Sequence, residues 1–185
     1  MITLETERLI IRQPTVKDAG AVADYYSRNR LFHKPWDPTR TEEFFTRSFW
    51  RKHIPDVLRE NRQGRQLDLF IFKKERRDRV VGKITFSAII RGAFHACLLG
   101  YALDADEEGK GLMTEALRSA IDHMFNAENL HRIMANYIVS NKRSATLLER
   151  LGFQVEGMAK EYLLIDGRWQ DHILTSLTNT QWKDR

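Results

Sequence analysis

The stretch Leu99-Gly100-Tyr101-Ala102-Leu103 reads as a strand, and Glu108-Gly109-Lys110-Gly111-Leu112-Met113-Thr114-Glu115-Ala116 then turns from two glycines straight into a helical pattern. Paired glycines let a backbone approach an anion closely. The free N–H groups of a helix start point at it, and the helix dipole adds roughly 0.3–1 kcal/mol. Lys110 brings a positive charge. A plain tight strand-to-helix connection uses glycines in the same way, so the pattern alone leaves both readings open. No Gly-Lys-Ser/Thr closes the loop as in a P-loop, and Thr114 stands where a dinucleotide fingerprint needs its third glycine.

From this loop the reading extends in both directions. Apolar pairs at Leu112/Met113, Ala116/Leu117, Ala120/Ile121 and Met124/Phe125 predict a helix over residues 111–127 with one buried face. Before it, residues 67–72, 79–90 and 94–103 are apolar, β-branched or aromatic runs joined by short polar links, as in an antiparallel meander. Earlier still, residues 4–13 predict one strand and residues 16–29 a helix. A turn over His33-Lys34-Pro35-Trp36-Asp37-Pro38 follows, then a second helical region to about residue 62 that Pro55 kinks or divides. After the loop helix come a strand over 132–139, a helix over 142–151 stopped by Gly152, and strands over 153–165 and 169–178 around Asp166-Gly167. The sum is a mixed α/β sheet with helices packed on it.

At 185 residues, 42% hydrophobic and without a linker or repeat, the chain reads as one domain over residues 1–185. No run approaches the ~18 apolar residues of a membrane span. The start, Met1-Ile2-Thr3-Leu4-Glu5, lacks the features of a signal peptide, so a cytoplasmic protein without membrane partners is expected. The lone Cys97 excludes an internal disulfide and reads as a small core side chain. A formal charge of +5 favours polyanionic partners such as a nucleotide, RNA or the ribosome. The basic run Lys73-Lys74-Glu75-Arg76-Arg77-Asp78-Arg79 is interrupted by acids and reads as a solvated hairpin connection. No aromatic-rich RNA-binding signature accompanies the charge, so no sequence-specific nucleic-acid contact is expected.

The run Glu108-Gly109-Lys110-Gly111-Leu112-Met113 resembles the acetyl-coenzyme A loop of the Gcn5-related N-acetyltransferases (GNAT), with Glu108 and Met113 departing from the family pattern at its two ends. Asn141-Lys142-Arg143-Ser144-Ala145-Thr146-Leu147-Leu148-Glu149-Arg150-Leu151-Gly152-Phe153 resembles the family's second signature, an Asn-led helix closing in Gly-Phe. Further blocks are similar to the RimJ-type branch, which acetylates the N-terminal alanine of a small-subunit ribosomal protein. They include Phe32-His33-Lys34-Pro35-Trp36, Arg91-Gly92-Ala93-Phe94-His95-Ala96-Cys97, His131-Arg132-Ile133-Met134-Ala135-Asn136-Tyr137 and Tyr162-Leu163-Leu164-Ile165-Asp166-Gly167. Residues 45–66 carry the least resemblance.

The resemblance implies a mostly antiparallel α+β sheet whose two central strands splay to admit acetyl-CoA as co-substrate, with no metal. It implies cofactor contacts from Tyr101, Ala102, Leu103, Gly109, Lys110, Gly111, Leu112, Met113, Thr114, Asn141 and Ser144. Leu148 fills the position where many relatives carry an acid tyrosine; Ser144, one turn earlier on the same face, is the replacement, hydrogen bonding the departing thiolate. Glu161 is the favoured general base and His95 the alternative. Trp36, His95 and Tyr137 are candidates for the peptide side. An α-amino group near pKa ~7.7–8.0 is roughly a tenth neutral at pH 7, against about one in 2,500 for a lysine, so an N-terminal acceptor asks less of its base. Two other readings stay open: transfer to a small-molecule or lysine amine, and a basic ribosome-assembly or RNA-binding factor. The oligomeric state is not legible.

Overall fold

A computed structural model describes residues 1–184. Eight strands form one sheet in the order β1-β2-β3-β4-β5-β6-β8-β7. They are β1 (Thr3–Glu5), β2 (Leu9–Arg12), β3 (Leu67–Lys73), β4 (Arg76–Ile90), β5 (Ala96–Leu103), β6 (Arg132–Ile138), β7 (Gln154–Ile165) and β8 (Arg168–Thr178). The helices are α1 (Ala19–Arg28), α2 (Arg30–His33), α3 (Arg47–Arg62), α4 (Leu112–Asn126) and α5 (Lys142–Arg150). Every adjacent pair is antiparallel except β5 and β6.

That parallel pair matters most. β5 and β6 pair only at Ala96/Arg132, Cys97/Ile133 and Leu98/Met134, yet β5 runs on to Leu103 and β6 to Ile138. The two strands part after Leu98, leaving a gap that opens toward their C-terminal ends, as the family resemblance implies.

Strand alternation gives the sheet two buried faces. On one, Leu69, Ile84, Phe86, Cys97, Leu99, Ile133 and Ala135 meet the apolar stripe of α4 and Leu148 of α5. On the other, Phe70, Phe72 and Val80 meet Tyr25 and Tyr26 of α1 and Trp50 and Ile54 of α3. Cys97 is completely buried, and burial pushes its thiol up to about 12, which keeps it a core side chain.

Several boundaries differ from the sequence reading. Residues 4–13 are a hairpin rather than one strand, because Thr6 and Leu9 close a turn through Thr6 N–H to the Leu9 carbonyl, 3.0 Å. The expected helix over 16–29 opens with a 3-10 turn at Val16–Asp18, where the Asp18 carboxylate caps the Thr15 N–H at 2.7 Å. α3 continues through Pro55, whose missing N–H leaves one helix bond unmade; buried Trp50, Ile54 and Val57 hold both halves on the sheet. β5 begins at Ala96 rather than at residue 94.

Candidate active site

The glycine loop leaves β5 at Asp104 and enters α4 at Gly111. Gly109 and Gly111 both adopt positive φ, +73° and +74°, a region that costs a side-chain-bearing residue roughly 1–2 kcal/mol. This conformation faces the backbone inward. Among the described residues, none of the N–H groups from Gly109 to Thr114 donates to a protein acceptor; the first helical bond runs from Glu115 N–H to the Gly111 carbonyl at 3.1 Å. Six consecutive open donors at a helix start suit a diphosphate.

The loop is braced from three sides. Arg8, in the β1–β2 turn, donates to the Lys110 carbonyl at 2.9 Å and to the Glu115 carboxylate at 2.7 Å, and Glu115 also accepts from Thr6 Oγ1 at 2.5 Å. Glu108, one of the two departures from the family pattern, pairs with Arg143 of α5 at 2.6 Å. The Lys110 ammonium is turned away to the Asp106 carbonyl at 2.6 Å and Glu107 at 2.9 Å, so it supports the loop's shape. Beside the loop, Thr6, Arg8, Gly111, Thr114, Arg118 and Arg150 line a cleft of about 610 Å³.

The root of the loop is held by buried charge. Asp104, 1% exposed, accepts from Arg28 of α1 at 2.7 Å and Arg79 of β4 at 3.2 Å, and caps the Asp106 N–H at 3.2 Å. Burial pushes its carboxyl up, but these donors outweigh burial and hold it below the usual carboxylate range. His33 of α2 reaches the Leu103 carbonyl at 2.8 Å, so Nε2 carries the proton there. Together they fix the last residues of β5.

On the α4/α5 face the gap is bridged by a side-chain pair. Asn141 caps α5, its Oδ1 accepting from Ser144 N–H at 3.1 Å, and Ser144 Oγ lies 2.6 Å from the Tyr101 hydroxyl of β5. Burial pushes the Tyr101 phenol up to about 12, with the Ser144 bond opposing it, so it is held protonated. Leu148 is 1% exposed in the core, with no acid function.

The remaining sequence candidates scatter. Tyr137 packs on the α4/α5 face, opposite the side of α1. Trp36 sits beyond α2, 37% exposed, in the turn that meets the β7–β8 hairpin through Asp166 N–H to the Asp37 carbonyl, 3.2 Å. Glu161 lies in a bulge of β7 with φ +47°, its N–H donating to Asp171 at 2.9 Å and its carboxylate exposed. His95 is not brought to the gap. It precedes β5 at the closed end, where its carbonyl accepts from His131 and Arg132 N–H at 2.8 and 3.1 Å, and its ring meets Trp182 at 5.1 Å. Strand direction is the reason: both strands run away from His95 toward the opening, so seven strand positions separate it from Ala102. Sequence reasoning also gave no role to Arg8, Asp104 or the Tyr101 hydroxyl.

An acyl-carrier cleft between two diverging strands, entered past an open glycine loop, defines an acetyltransferase. Residues 8–154 match the Acetyltransferase (GNAT) domain, and the chain belongs to that family. It is 46% identical over 181 residues to the [Ribosomal protein uS5]-alanine N-acetyltransferase of Escherichia coli strain K12, covering 98% of this chain and 93% of the relative. Among solved structures, the ribosomal-protein-S5-alanine acetyltransferase from Vibrio fischeri superposes with a TM-score of 0.94 at 40% identity over 100% of both chains. RimJ of Mycobacterium smegmatis, solved in complex with CoA-disulfide, gives 0.87 at 29% identity over 95% of this chain and 84% of its own.

Proposed function

We propose that this chain is a single-domain cytoplasmic enzyme that moves acetyl from acetyl-CoA to the N-terminal alanine amine of the ribosomal protein uS5. The observation that carries the acceptor is the 46% identity, over 98% of the chain, with the relative of that name. The open N–H row at Gly109 to Thr114 supports the co-substrate, since it offers fixed donors where a diphosphate would lie. Asn141 and the backbone of Tyr101, Ala102 and Leu103 would flank the pantetheine arm in the gap.

Transfer requires the amine nitrogen to bond the carbonyl carbon while the carbon–sulfur bond breaks, the pair leaving on sulfur and one proton leaving nitrogen. Ser144 would hydrogen bond the developing thiolate. The Tyr101 hydroxyl, held protonated, can donate to Ser144 Oγ and so leave the serine proton free for sulfur. The exposed Glu161 carboxylate would draw the ammonium form of the peptide to the far mouth and carry protons on to water. Trp36, in the turn against the hairpin, would wall the peptide groove, and Tyr137 would border the gap from the cofactor side.

The test is thiol release from acetyl-CoA with two short peptides, one with a free N-terminal alanine and one blocked there but carrying a lysine. Turnover of the first alone is expected. Turnover of the lysine peptide, or of neither while acetyl-CoA still binds, would overturn the acceptor assignment.

A further inference from the structure

On the sheet face that carries α1 and α3, the open end of the gap is bordered by side chains the sequence had not marked. Ile133 and Ala135 of β6 face α4, so alternation turns Asn136 and Ile138 to the opposite side. His172 of β8 pairs with Ile138 and shares its face. Tyr162 of β7 joins them, its hydroxyl accepting from Asn136 Nδ2 at 3.3 Å and its ring lying 5.5 Å from the His172 ring.

His172 is only 3% exposed, and one contact fixes the tautomer of its neutral ring. Its Nδ1 lies 2.9 Å from the Gln170 carbonyl, which can only accept, so Nδ1 is the donor there and in the neutral ring the lone pair sits on Nε2. Nε2 makes no hydrogen bond among the described residues, and it is not among the sealed, unpartnered polar atoms. The bond to Gln170 leans the ring along β8 toward the hairpin tip, past the end of β6, which is the direction in which the gap opens. Strand alternation therefore sets Ser144 and Tyr101 on the α4/α5 face and His172 on the opposite face, beside the last residue of β6, the strand that borders the gap.

We propose that His172 Nε2 is the atom that takes the proton from the attacking amine, a reading that rests on the acetyltransferase assignment above. As nitrogen bonds the carbonyl carbon and the carbon–sulfur bond breaks, the N–H proton passes to Nε2. The thiolate leaves on the Ser144 side, and the imidazolium later returns its proton to solvent past Glu161. The titratable and charged groups beside the ring are Tyr162 of β7 and Asp171 of β8, whose carboxylate is paired with Lys160; farther along the hairpin, at its tip, Asp166 meets Lys34 and Asp37 of the α2 turn.

The experiment compares His172→Asn, whose amide can keep the bond to the Gln170 carbonyl, and His172→Gln with the wild type. Acetyl-CoA affinity, KM for the amine and kcat across pH are measured, on the alanine peptide or on whichever amine of a panel the wild type acetylates. Failure of the alanine peptide thus counts against the acceptor and leaves His172 tested. Expected is a loss of at least about a hundredfold in kcat, with acetyl-CoA affinity retained and the acid-side fall of kcat gone. A variant that binds acetyl-CoA and keeps kcat within about threefold overturns the proposal. Should both variants fail to bind acetyl-CoA, nitrogen NMR on wild-type histidines decides. Protonated Nδ1 with free Nε2, titrating together with the acid limb of kcat, supports it; the opposite tautomer or a separate titration overturns it.

Discussion

Tyr101 of β5 and Ser144 of α5 meet through their hydroxyls at 2.6 Å, joining one of the two diverging strands to the helix that follows the other. Burial pushes the Tyr101 phenol up to about 12, so it stays protonated and can donate to Ser144 Oγ, which is the orienting part proposed for it above. Ser144→Ala is expected to lower kcat roughly 10- to 100-fold, the range of a hydrogen bond to a charged group, with acetyl-CoA affinity little changed. Tyr101→Phe is expected to lower it less, and the double variant to be no worse than Ser144→Ala alone. Steady-state kinetics on the three variants checks this, and additive losses would separate the two roles.

Gly111 and Gly64 share a positive φ, +74° and +67°, and a Cβ at either finds no neighbour closer than 3.7 Å. Alanine at each therefore carries the same backbone strain, about 1 kcal/mol, and both variants should melt a few degrees lower. Only Gly111→Ala, at the open N–H row, is expected to weaken acetyl-CoA binding, by at least about tenfold (~1.4 kcal/mol). Calorimetric titration of both variants is the check, and equal affinities would remove the loop from the cofactor site.

Asp104 ties stability to pH. Its carboxyl is depressed in the fold, so its contribution is present above the unfolded value of ~3.9 and is lost as pH falls through the lower folded value. Asp104→Asn leaves Arg28 and Arg79 without their shared buried partner and is expected to cost about 3 kcal/mol at pH 7. Below pH ~4 the gap between variant and wild type should narrow. Urea unfolding at pH 7 and pH 3 would show it, and a constant difference would mean that the carboxylate's charge contributes nothing.

Cys97 faces the α4 core with its thiol pushed up to about 12, so thiol reagents should modify it only at the rate of unfolding. Cys97→Ser is expected to keep kcat while lowering stability by roughly 1–3 kcal/mol for its buried hydroxyl. Rapid labelling of the native protein would contradict the assigned burial.

The amino-acid sequence by itself determined what is local. The glycine pair demanded a left-handed backbone, the four-residue apolar rhythm made α4 amphipathic, and Asn141 and Gly152 bounded α5 whatever lay around them. The general order of strands and helices was legible for the same reason, since turn chemistry and periodicity act over a few residues. Only the tertiary structure decided what depends on strand order and on which face meets which helix. Arg8 reaches Glu115 across 107 positions and Tyr101 reaches Ser144 across 43. β8, inserted between β6 and β7, sets His172 opposite Ile138 at the end of β6, while strand direction leaves His95 at the closed end. Alternation along a strand separates its two faces but does not say which of them will look onto the cleft; that follows only when distant strands pair and the helices choose their sides.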